Sequence, residues 1–92
     1  MRKIINGLLY DTDKAKVLYE HKEGANYSIT RLCKTQNGNY FFYIYFYAGN
    51  DKNRGFIEPT GGRKAVNWLA VRNTEEAIDL AISEFSEYVK EA

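Results

Sequence analysis

The chain has 92 residues, 45% hydrophobic and 15% aromatic, with a formal net charge of +1. This length supports one small domain, residues 1–92, with a modest core, and the composition suits a folded globule rather than a disordered tail. The one cysteine, Cys33, leaves no intrachain disulfide, and no apolar run approaches the roughly 18 residues of a membrane span, so a soluble protein of the reducing cytoplasm is expected.

The opening "KIINGLLYD" places Asn6-Gly7 between two short apolar runs and predicts a small N-terminal hairpin, because that pair favours a turn with positive φ at both positions. In "DTDKAKVLYEHK" the acids suit a helix N-terminus, and Ala15, Leu18, Tyr19 and Lys22 share one face at helical spacing. The spacing predicts a helix over residues 12–22, ended by "EGAN" with Gly24 as its stop.

The stretch "YSITRLCKTQNGNYFFYIYFY" carries seven aromatic rings in its last eight positions. Asn37-Gly38 divides it into two β-rich runs, so a two-residue hairpin is the natural expectation. That turn would pair Thr35 with Tyr40, Cys33 with Phe42 and Ile29 with Phe46. One sheet face would then hold Ile29, Cys33, Phe42, Ile44 and Phe46 as core, with Arg31 at the rim. The other would hold Tyr43, Tyr45 and Tyr47 beside Ser28, Thr30 and Lys34. A loop longer by one residue would exchange the two faces.

"AGNDKNRG", residues 48–55, is a polar connector, and "FIEPTGGRK" allows a short strand before Gly61-Gly62. "AVNWLAVR" is apolar and β-branched and is expected as a third main strand. "RNTEEAIDLAISEFSEYVKEA" is a clear helix, with an Asn73–Glu76 capping box and an apolar stripe of Ala77, Ile78, Ala81, Ile82, Phe85, Tyr88 and Val89. The expected fold is therefore α+β and two-layered: a short N-terminal hairpin, then α-β-β-β-α, with a three-stranded antiparallel sheet and both helices on one face.

Charge is unevenly spread. Residues 1–72 carry twelve Lys/Arg against six Asp/Glu, and residues 73–92 carry six acids against one lysine. The last helix is thus the acidic face of an otherwise basic chain.

Catalytic chemistry has little to build on. His21, the only histidine, sits where a helix C-terminus would favour a cation, and Asp11 and Asp13 suit capping better than a divalent-ion site, which needs more oxygen ligands. No CxxC or HExxH spacing is present, so no metal and no cofactor is expected. "PTGGRK" lacks phosphate-loop spacing and reads as a turn. The tyrosine face fits three descriptions: plain cross-strand packing, a protein interface, or a base-stacking platform. The order helix, three strands, helix resembles the double-stranded-RNA-binding domain, but the acids Glu75 and Glu76 would repel a phosphate backbone from the helix start that this family uses.

Lys3, Ile4, Ile5, Asn6, Gly7, Tyr10, Thr12 and Ala15 fit the pattern K-I-I-N-G-x-x-Y-x-T-x-x-A. Leu32, Lys34, Gly38, Tyr40 and Phe41 fit L-x-K-x-x-x-G-x-Y-F. Over less than half its length the chain thereby resembles a loose group of small proteins from phages and mobile elements of Gram-positive bacteria, some similar members being anti-CRISPR inhibitors. The resemblance implies a non-enzymatic inhibitor that binds a host defence protein, a CRISPR effector complex first, in the bacterial cytoplasm. Glu76, Asp79 and Glu87 would occupy a basic nucleic-acid channel, with Tyr43 and Tyr45 as anchors and Tyr47 and Lys34 as further binding residues of the tyrosine face. The alternative is a nucleic-acid-binding module using an exposed tyrosine face with Lys34, Arg63 and Lys64, and a third reading is a homodimer.

Overall fold

The computed structural model describes residues 1–24, 28–46 and 55–92. Tyr47, most of the connector 48–55 and the end of "EGAN" lie outside the described residues. The strands are β1 (Arg2–Ile5), β2 (Leu8–Asp11), β3 (Lys16–Glu23), β4 (Ser28–Lys34), β5 (Tyr40–Phe46) and β6 (Phe56–Thr60), followed by helices α1 (Gly62–Arg72) and α2 (Glu75–Glu84). The class is α+β, with an antiparallel sheet of two strands, β1-β2, and one of four, in the order β3-β4-β5-β6. The chain divides into two compact units, Met1–Pro59 and Thr60–Ala92.

In the first unit the N-terminal hairpin forms as its turn chemistry dictates. Asn6 and Gly7 take φ of 52° and 78°, and Ile5 pairs with Leu8 across them. The expected helix over 12–22 is instead a turn and strand β3. The acids that would cap a helix are used locally: the Asp13 N–H donates to Asp11 Oδ1 at 2.9 Å, and the Asp11 carbonyl accepts from Ala15 at 3.1 Å. This closes one turn and goes no further. Beyond it Val17, Leu18 and Tyr19 are β-branched or bulky residues that gain more from pairing with β4 than from a solitary helix. A bulge between Val17 and Tyr19 shifts the pairing, and Glu20 meets Arg31 across the strands at 2.9 Å.

The β4–β5 hairpin exists as expected, but its register is shifted by one. Leu32 faces Phe42, Cys33 faces Phe41 and Arg31 faces Tyr43. The cause is Thr35. Its hydroxyl accepts the Asn39 N–H at 3.0 Å, and its backbone N–H donates to the Asn39 carbonyl at 2.8 Å. This encloses three loop residues, with only Gly38 needing a positive φ, 86°. That is a type I turn followed by a left-handed residue, the next solution after the two-residue turn.

One residue of register exchanges the faces. Ile29, Cys33, Phe41, Tyr43 and Tyr45 now share the side that the hairpin's Tyr10 covers, with Ile57 in the same buried cluster and Ile5 and Ala15 packed against it. Tyr10 meets Phe41 edge to face at 5.4 Å and 77°. The expected core of Phe42, Ile44 and Phe46 lies on the opposite side, where Leu32 and Phe42 are buried and Phe46 is exposed.

In the second unit, "AVNWLAVR" is helix, not the expected strand. Ala65 and Leu69 are its buried pair at i, i+4, and Trp68 and Arg72 stack at the same spacing, 5.0 Å from guanidinium to ring. Asn73 is not the expected N-cap of the next helix. It ends α1 in the left-handed conformation, φ 52°, and Thr74 caps α2, its hydroxyl accepting the Ala77 N–H at 3.1 Å. Glu75 and Glu76 occupy the first turn, where the helix dipole favours acids. Helix α2 ends at Glu84, and a 3-10 turn, Ser86–Tyr88, follows. The turn brings the Tyr88 ring against Gly62, with the Arg63 guanidinium 5.6 Å from the ring centroid.

Candidate functional site

The residues singled out from the sequence fall into three separate places. Tyr43 and Tyr45 are 8% and 6% exposed, so the tyrosine face expected to be open to a partner is core at these two positions. The two rings stack on each other at 5.0 Å and 30°, and burial pushes the Tyr43 phenol above its ordinary range, with Tyr45 adding to the effect. Rings buried to this extent offer no face to a nucleobase and no anchor to a protein partner. Lys34 lies on the opposite side of the sheet, its ammonium 5.6 Å from the Tyr40 ring centroid, so it is not beside the tyrosines. Tyr47 lies outside the described residues.

Arg31 takes the rim position expected of it. Its Nε donates to Glu20 Oε1 at 2.9 Å, and its guanidinium stands 5.4 Å from the Tyr45 ring centroid. Partial burial works against the charge, yet the hydrogen bond to Glu20 and the neighbouring Tyr45 leave the Arg31 pKa raised overall. Cys33 is buried, and desolvation, opposed by Arg31, pushes its thiol from 9.0 to about 11. A thiol of that kind is packing material and not a nucleophile.

Glu76, Asp79 and Glu87 remain exposed, Glu76 and Asp79 on α2 and Glu87 in the turn after it. What the sequence reading missed is their neighbourhood. Only Ala77 and Ala81 of α2, with Phe85 just after it, are buried. Ile78 and Ile82, assigned above to the core stripe, are 39% and 52% exposed. At about 100° per residue, Ile78, Ile82, Glu75, Asp79, Ser83 and Glu76 follow one another around an exposed arc of roughly 160°. Two isoleucines one turn apart therefore form an apolar ridge, and acids lie along its flank. The expected stripe of Ala77, Ile78, Ala81, Ile82, Phe85, Tyr88 and Val89 took both isoleucines as covered, and the sequence carries no signal of how much of a stripe a neighbouring element covers.

Among the described residues no group of three or more His, Cys, Asp or Glu could hold a metal ion, and no helix is long and apolar enough to cross a membrane. Family models, curated proteins and solved structures were compared with the chain, and none matches.

Proposed function

We propose that this protein is a non-enzymatic binding protein of the phage-inhibitor type, and that it docks the exposed arc of α2 onto a basic surface of a host defence protein, a CRISPR effector being the first candidate. The observation that carries the reading is the pairing of an exposed Ile78/Ile82 ridge with Glu75, Glu76 and Asp79 along the same arc. An apolar ridge supplies affinity through desolvation, while the acids select a basic partner and speed encounter. A channel built to hold nucleic acid is such a surface, lined with Lys and Arg and dominated by phosphate contacts. In this reading Ile78 and Ile82 are the anchors in place of Tyr43 and Tyr45, and Glu87 extends the acidic surface beyond the helix. The nucleic-acid-binding alternative loses its stacking platform, since Tyr43 and Tyr45 are buried.

The test is competition. A guide-RNA-loaded CRISPR effector nuclease is mixed with labelled target DNA, and the protein is titrated in. The expected outcome is displacement of DNA, weakened about tenfold or more by Glu76→Lys with Asp79→Lys, and weakened similarly by Ile78→Ser with Ile82→Ser. Displacement that is unaffected by both pairs removes α2 from the mechanism.

A further inference from the structure

A cleft of about 290 Å³ lies in the Met1–Pro59 unit, between β2 and the β4–β5 turn. Every residue of β2, Leu8 to Asp11, lines it. Successive side chains of a strand point to opposite faces, so a cleft touched by four consecutive residues runs along the edge of the strand and not over one side. Among the described residues no strand pairs with that edge, since the small sheet has the order β1-β2.

The hairpin register identifies which backbone groups the edge presents. The two-residue turn makes Ile5 and Leu8 a hydrogen-bonded pair, and bonded and non-bonded pairs alternate outward. Leu9, opposite Ile4, and Asp11, opposite Arg2, are therefore in non-bonded positions, with their N–H and C=O directed away from β1. The next bonded position confirms the phase, since the Thr12 N–H donates to the Met1 carbonyl at 2.9 Å. The Asp11 carbonyl is taken by the amides of Lys14 and Ala15 at 3.3 and 3.1 Å. The edge thus offers the N–H and C=O of Leu9 and the N–H of Asp11. Across the cleft stand the carboxamides of Gln36, Asn37 and Asn39, all exposed, each with a donor and an acceptor side by side.

We propose that this cleft binds an extended peptide segment of another protein as a third strand on β2. One peptide residue exchanges both backbone hydrogen bonds with Leu9, and a carbonyl further along accepts from the Asp11 N–H. The carboxamide wall takes the outer edge of the peptide, and Leu8 and Ala15 give its inward side chain an apolar floor. Strand addition of this kind draws affinity from main-chain hydrogen bonds and specificity from alternate side chains. The slot is about four residues long, roughly 13 Å, which fits a single short strand. A second copy of this chain is a poor occupant, because its own β2 lies behind its own β4–β5 turn. The proposal uses none of the α2 residues and stands or falls separately from the reading above.

The experiment selects a phage-displayed library of random nonapeptides on the full chain and measures the enriched peptides against three variants. Leu9→Pro removes the outward N–H and leaves the β1 pairing intact, since proline is tolerated on a strand edge where its nitrogen makes no ladder bond. Gln36→Ala with Asn39→Ala removes two of the three carboxamides of the wall, and Glu76→Lys with Asp79→Lys alters only α2. The expected result is peptides whose affinity falls about tenfold or more with Leu9→Pro and with the wall variant but is unchanged by the α2 pair. Binding should also slow amide hydrogen exchange at Leu9 and Asp11 of the unaltered chain about tenfold. Failure to enrich peptides over an unrelated protein, or peptides that leave the Leu9 and Asp11 exchange unchanged, overturns the proposal. So does a concentration-dependent dimer that protects these two amides without peptide. If Leu9→Pro loses the native spectrum, the exchange rates of the unaltered chain decide the matter.

Discussion

Truncating Tyr10 to alanine tests whether the N-terminal hairpin is the lid on the tyrosine side of the sheet. Tyr10 is 5% exposed, within the cluster that holds Phe41, Tyr43 and Tyr45, and its ring meets Phe41 edge to face. Removing a buried aromatic ring costs about 3–5 kcal/mol, of which the ring pair accounts for about 0.5–1.5 kcal/mol. A domain of this size has a total stability on the order of 5–14 kcal/mol, so the substitution removes a large share of it. At roughly 4–8 °C per kcal/mol, the melting temperature should fall by about 12–40 °C. Tyr10→Phe keeps the ring and should cost less than about 1 kcal/mol, as a single hydroxyl deletion at a site where the packing is retained. Leu9→Ala, at an exposed position on the same strand, should cost a similarly small amount. Urea unfolding monitored by circular dichroism measures all three. Tyrosine nitration followed by peptide mapping should find Tyr43 and Tyr45 protected in the parent and reactive after Tyr10→Ala. A Tyr10→Ala cost no greater than that of Leu9→Ala would refute the reasoning and return the tyrosines to the surface.

Three further outcomes are expected. A Cβ at Gly62 would run into the Tyr88 ring at Cε2, so Gly62→Ala should cost about 1–3 kcal/mol by overpacking, and in a Tyr88→Ala background the same change should become neutral or stabilising by up to about 1 kcal/mol, because alanine is the better helix former. The Cys33 thiol, raised from 9.0 to about 11, stabilises the fold in its neutral form; that contribution is fully present below pH 9, is lost as pH rises toward 11, and amounts to roughly 2–3 kcal/mol. Cys33→Ala should flatten this part of the profile, and an equal alkaline slope in parent and variant would count against the assignment. Glu20→Gln removes an ion pair whose two side chains are 36–37% exposed, so it should cost no more than about 1 kcal/mol and less still at high salt, as thermal denaturation at two ionic strengths will show.

Sequence alone carried the elements whose signals are local. Asn6-Gly7 specifies its hairpin because both residues accept positive φ, and α2 follows from its acids, its cap and its apolar spacing. The cap itself moved by one residue, since Asn73 is drawn into the end of α1 and Thr74 supplies the same chemistry one place later. The β4–β5 pairing was legible, but its register was not. "TQNGN" is compatible with a two-residue turn and with a longer one, and the Thr35 hydroxyl decides between them through a single hydrogen bond. A shift of one residue then inverted the inside–outside assignment of β5, while Ile29 and Cys33 of β4 kept their core places. β3 and α1 were exchanged in class for a related reason. "KVLYEHKE" and "AVNWLAVR" each satisfy both a strand and a helix pattern over a short span, and pairing to β4 in one case and the Ala65/Leu69 spacing in the other settle what local propensity leaves balanced. The acidic residues of the candidate site were visible from charge. The exposed Ile78/Ile82 ridge beside them was not, because the sequence shows how wide an apolar stripe is but not how much of it a neighbour covers.

The central claim is that the α2 arc is the binding surface, and hydrogen exchange on the complex tests it most directly. The protein is measured by mass spectrometry free and bound to a guide-RNA-loaded CRISPR effector. The account predicts slowed exchange across residues 75–84, with β5 at Tyr43 and Tyr45 unchanged from its already buried state. Protection that falls elsewhere and leaves α2 unaltered, or no complex at all with the effector, would contradict it.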